Sequence, residues 1–155
     1  MSNSSQGFTL LELMVTIAMV LILAAIAVPG VSSMVQTNAV SSYANMISTS
    51  LMLAKSEASK RSAVVNFVPE INWSDGWNVE DSGGTVIRRF DGIPAAYTVS
   101  TSATSLGFRN DGSITTSAAY TVKLQPATGC TADLVREIKV TLTGTVSVSS
   151  GGTCS

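Results

Sequence analysis

From Phe8 to Val28 the chain reads FTLLELMVTIAMVLILAAIAV, 21 positions with one charged residue, Glu12. As a helix rising about 1.5 Å per residue, this run is about 31 Å long and matches the roughly 30 Å hydrocarbon core of a bilayer. A buried helix of a soluble domain normally keeps one polar face. Here only Thr9, Glu12 and Thr16 interrupt the apolar surface, all in the first half. The run is therefore read as a membrane-spanning helix. Seven polar residues, MSNSSQG, precede it and hold no Lys or Arg. No Ala-x-Ala-like site lies before Pro29-Gly30, so a secretory signal cut behind the apolar run is not favoured.

Composition narrows the chemistry. The 155 residues include no histidine, which removes Ser-His-Asp and Cys-His nucleophilic sites and most zinc sites together. Nine Lys and Arg against ten Asp and Glu leave a net charge of -1, so no whole-chain basic excess favours nucleic acid. Two distant cysteines and scattered acids suggest no metal cluster, and no Gly-rich phosphate loop is present. Ser56 and Lys60, four apart, would be the best pair for a Ser-Lys hydrolase, but they read as a solvated helix face. Asp75 with Glu80 or Asp81 reads as solvated turn sequence. No catalytic residue, metal or cofactor is expected, and the chain is read as non-enzymatic. Its mean hydropathy of +0.35 averages the apolar run with a Ser/Thr-rich remainder.

Beyond the run, Pro29-Gly30 either ends the helix or kinks it. Val31, Val35, Ala39, Tyr43, Ile47, Leu51, Ala54 and Ala58 recur every three or four residues, which favours continuation as an amphipathic helix to about Arg61. From Ser62 the period becomes two. Strands are expected at 63–68, 77–80, 85–90, 97–100, 106–108, 120–124, 137–142 and 145–148. Asp81-Ser82-Gly83-Gly84 marks a hairpin, and Asn110-Asp111-Gly112-Ser113 a tight turn. This is an α+β fold, a long helix packed on an antiparallel β head.

Gly7-Phe8-Thr9-Leu10-Leu11-Glu12-Leu13-Met14 resembles the processing site of type IV pilins and type II secretion pseudopilins. The resemblance implies that a prepilin peptidase cuts between Gly7 and Phe8 and methylates the new amino group of Phe8. Glu12 would become the fifth residue of the mature chain and pair with that amine on a neighbouring subunit. Elementary energetics bears on the same residue. A carboxylate in a hydrocarbon-facing helix costs roughly 2.5–3.5 kcal/mol, so it needs a partner or an interface to snorkel to. Lys55-Ser56-Glu57-Ala58, Trp73-Ser74-Asp75-Gly76-Trp77 and Leu106-Gly107-Phe108-Arg109-Asn110-Asp111-Gly112 further resemble the GspH/FimT branch of these families.

The resemblance implies a pilin-like fold in three parts: a leader, 1–7; a transmembrane and assembly helix, 8–29; and a periplasmic head, 30–155, made of an amphipathic helix, 30–61, and a β region, 62–155. It implies a minor pilin of the FimU or FimT kind, anchored in the bacterial inner membrane and drawn into a pilus with other major and minor pilins. A GspH-like pseudopilin of type II secretion is the alternative. In that topology Cys130 and Cys154 face the periplasm, where disulfides persist, and a structural bridge between them is expected. Some FimT-like relatives are associated with DNA uptake. Arg88-Arg89 is the adjacent basic pair considered for phosphate contact, and the tail after Lys139 holds no cation.

Overall fold

The computed structural model describes residues 8–154; the leader 1–7, with Gly7, and Ser155 lie outside the described residues, as do the side chains of residues 26–33. Two compact units are distinguished, one up to Gln36 and one from Thr37. Helix α1, Leu10–Arg61, is assigned across both and runs through Pro29.

In the first unit, Thr9 caps the helix. Its hydroxyl accepts from the Glu12 N–H at 3.2 Å, and its carbonyl accepts from the Leu13 N–H at 3.2 Å. Thr9-x-x-Glu12 is thus a capping-box sequence, with the acid at the third helical position, where the helix dipole also favours it. From Phe8 to Leu23 the large apolar side chains are exposed. Among the described residues no helix is long and apolar enough to cross a membrane. The expected span, Phe8–Val28, runs into residues 26–33, whose side chains are not described.

In the second unit, α1 buries Val40, Ala44, Ile47, Leu51, Ala54 and Ala58. The expected stripe holds from Ile47 onward and drifts before it, where Ala39 is only half-buried. The cause is geometric. A four-residue step turns about 400°, so each step back from Ile47 through Tyr43 and Ala39 rotates about 40° off the core. Mixed steps through Ala44 and Val40 stay on it. The helix ends in a Schellman motif, with Ser62 at φ 51. The Ser62 N–H reaches the Ser59 carbonyl and the Ala63 N–H the Ala58 carbonyl.

Eight strands follow: β1 Val65–Pro69, β2 Trp77–Asp81, β3 Val86–Phe90, β4 Tyr97–Thr101, β5 Leu106–Phe108, β6 Tyr120–Pro126, β7 Arg136–Val140 and β8 Val146–Ser150. They form two four-stranded antiparallel sheets, ordered β3-β2-β1-β5 and β4-β6-β7-β8. Alternation decides which side chains face the helix: Val65 and Phe67 on β1, Tyr120, Val122 and Leu124 on β6, Ile138 and Val140 on β7. The strand pattern agrees with the sequence reading, with ends shifted by one or two residues. Two short 3-10 turns, Trp73–Asp75 and Ala132–Leu134, were not anticipated.

Candidate assembly site and the surfaces of the head

Phe8 and Glu12, the residues expected to carry processing and assembly, stand at the start of α1. Both are exposed, so the Glu12 carboxylate is open to a partner outside this chain. Its backbone N–H is already held by Thr9. The capping role escaped the sequence reading, although a Thr three residues before an acid at the head of an apolar run is its signal.

The head motifs work by close packing. Trp77 is fully buried. Its indole N–H donates to the Ser50 hydroxyl at 2.9 Å, and Ser50 donates to the Ile47 carbonyl at 2.7 Å. Around it lie Phe90, stacked at 5.6 Å and 6°, Trp73 at 5.6 Å and Phe67 at 6.3 Å. Gly76, at φ 98, permits the turn into β2; a Cβ there would sit 2.2 Å from the Phe90 carbonyl oxygen. The Trp-Ser-Asp-Gly-Trp fragment is therefore a folding element. Lys55 plays a comparable part at the other end of the head. Its Nζ donates to the Gly144 carbonyl at 2.8 Å, and its stem lies against Gly112. Asp111 closes the adjoining turn by accepting from the Ser113 hydroxyl at 2.7 Å and the Ser113 N–H at 2.9 Å. These bonds hold its carboxyl below the usual range, despite a small opposing desolvation. Arg109 donates to the Ile114 carbonyl.

The paired residues weighed for other chemistry fall apart. Arg88 and Arg89 are successive on a strand and so face opposite sides of the sheet. Arg88 lies 5.1 Å over the Phe90 ring, while Arg89 donates to the Asp75 carbonyl at 3.2 Å, with Glu70 3.9 Å away. Ser56 donates to the Leu53 carbonyl, and Lys60 pairs with Glu57. The Asp81 carboxylate binds the Thr85 and Gly83 N–H groups of its hairpin, which hold it below the usual range. Among the described residues no cluster of acids and cysteines could hold a metal ion. Cys130 and Cys154 are joined in a disulfide with Cα atoms 6.0 Å apart, tying the segment after β8 to the loop before Ala132–Leu134.

Solved structures share this arrangement. Type IV minor pilin FimU of Pseudomonas aeruginosa (strain PAO1) superposes in two crystal forms. One gives a TM-score of 0.61 at 19% identity, covering 70% of this chain and 91% of that one. The other gives 0.63 at 20%, covering 72% and 89%. The minor pseudopilin EpsH from the type 2 secretion system of Vibrio cholerae gives 0.54 at 11%, covering 70% and 94%. A long helix on two antiparallel sheets, with this likeness, makes the chain a pilin-fold protein.

The profile of the family described as Type II transport protein GspH matches residues 43–151, and that of the prokaryotic N-terminal methylation motif matches residues 2–28. The chain belongs to the GspH family. It is accordingly a minor pilin or pseudopilin, of a type IV pilus or a type II secretion system. A search of curated proteins gives no significant match.

Proposed function

We propose that the chain is a minor pilin of a type IV pilus, cut between Gly7 and Phe8, methylated on Phe8, and recruited into the filament or its initiating tip complex through Glu12. The observation that carries this reading is the coincidence of the methylation motif, residues 2–28, with a capped helix start that leaves Glu12 exposed in the first turn. Before assembly the apolar helix holds the protein in the inner membrane, with the disulfide-bonded head in the periplasm. Lateral packing of helices then transfers it to the filament, and a neighbour's Phe8 amine neutralises Glu12 where hydrocarbon would otherwise penalise it. The higher overlays on FimU favour the pilus over the secretion machine.

The test is genetic and biochemical. Deletion should abolish surface pili and twitching and leave exoprotein secretion intact; the reverse outcome assigns the chain to type II secretion as a pseudopilin. Glu12→Ala should be processed normally but enter filaments at least tenfold less. Normal incorporation of that variant would remove the role given to Glu12. An uncut precursor beside active peptidase would remove the Gly7-Phe8 site.

A further inference from the structure

One groove of the head combines an open strand edge with a charge. Strand β8 is the last in its sheet, and among the described residues no other strand pairs with its far side. The bonds from the Thr141 N–H to the Thr145 carbonyl and from the Gly151 N–H to the Val135 carbonyl bracket the β7–β8 ladder. In that register, hydrogen-bonded positions alternate, so 145, 147, 149 and 151 bond inward to β7. The backbone N–H and carbonyl groups of Val146, Val148 and Ser150 point away from the sheet. Alongside this edge, Ser41, Ala44 and Asn45 of α1 and the stretch from Val148 to Ser150 enclose a groove of about 280 Å³.

Arg136 supplies the only charge in that lining. Its guanidinium is fixed, donating to the carbonyls of Asp133 and Val135 at 2.6 and 3.1 Å and to the Ser41 hydroxyl at 3.2 Å. None of these hydrogen-bond partners is a carboxylate, and among the described residues Arg136 forms no ion pair within 4.0 Å, although its charge helps to hold the nearby Asp133 carboxyl below the usual range. With three of its five N–H donors engaged, two remain for a further acceptor. A positioned, half-buried guanidinium beside unpaired strand groups selects one kind of occupant by charge complementarity.

We infer that this groove receives an extended segment of another filament subunit, which adds as a strand to β8 and places an Asp or Glu side chain on Arg136. The assembly reading enters only in naming the donor as another subunit; the groove's chemistry stands without it. Backbone pairing along Val146–Ser150 would give adhesion, and the acid would fix register. An unpaired edge is also where association is otherwise unregulated, and a charge requirement would restrict it.

The probe is a nine-residue peptide of alternating Val and Thr with one central Glu, compared with the same peptide carrying Gln. Binding to the full chain in detergent is measured at low salt by fluorescence anisotropy. The Glu peptide should bind about tenfold tighter, as a charge-assisted bond requires. Arg136→Gln should abolish the preference, and Arg136→Lys should retain part of it. Val148→Pro removes an outward N–H and no ladder bond, and should weaken both peptides. Equal binding of the two peptides to the unaltered chain, or no binding, would overturn the inference without any variant having to fold. Because the measurement involves no pilus, its failure leaves the assembly proposal standing, and failure of the genetic test leaves this one.

Discussion

Ser50→Ala tests the claim that a single buried hydrogen bond holds the helix to the first sheet. Ser50 and Trp77 are both fully buried, and the hydroxyl accepts the indole N–H at 2.9 Å. Removing the acceptor strands a buried donor, at a cost of about 1–3 kcal/mol. Alanine returns about 0.5 kcal/mol as the better helix former. The net expected loss is about 1.5 kcal/mol, or about 5 °C in Tm for a head of this size. The same substitution in a Trp77→Phe background has no indole to strand and should cost nothing or stabilise slightly. Urea unfolding of the full chain in detergent, followed by tryptophan fluorescence, gives all four corners of the cycle, since Trp73 remains in each. A coupling of about 1–2 kcal/mol is expected. If Ser50→Ala costs the same in both backgrounds, the loss comes from packing and not from the hydrogen bond.

Replacing Cys130 and Cys154 together by Ser should cost about 3.4 kcal/mol, from loop-closure entropy over the 24-residue separation. Dithiothreitol should lower the unaltered chain's unfolding midpoint by the same amount and leave the variant unmoved. Gly144→Ala, at φ +70 with its Cβ 1.9 Å from the Gly112 carbonyl oxygen, should cost at least about 2 kcal/mol by thermal melting. Gly84→Ala, at φ +82 in open space, should cost only about 1 kcal/mol for its backbone conformation. Equal losses at the two glycines would deny the contact any role. Burial pushes the Tyr120 phenol from 10.0 up to about 12, an effect the Thr101 hydroxyl opposes. Since the folded state resists ionisation, stability should be level below pH 10 and fall by roughly 2–3 kcal/mol towards pH 12. Tyr120→Phe should flatten that alkaline fall; a fall of the same size in the variant would assign it elsewhere.

The strand positions were legible because β-branched runs and turn residues are local signals, whereas the order of the strands within the two sheets was not. Asp81-Ser82-Gly83-Gly84 announces its hairpin through a side chain that reaches only four residues along the chain. One position of the stripe on α1, Ala39, was misjudged for a different reason. A list of apolar residues at four-residue spacing is self-consistent in sequence, yet only the position of the sheets shows that Val40 and Ala44, rather than Ala39, lie fully in the core.

The N-terminal motif is the opposite case. Gly7, Phe8 and Glu12 form a signal of residue order within one short stretch, matched by the N-terminal methylation motif over residues 2–28, so the family resemblance could be read without any tertiary contact. The groove at Arg136 could not. Arg136, Ser41 and Ser150 are distant in sequence and meet only because β8 closes its sheet beside the helix. Which donors are already bonded and which strand edge stays open are properties of that meeting. They arise when burial and pairing have consumed the other polar groups, a result of tertiary packing that no local pattern encodes.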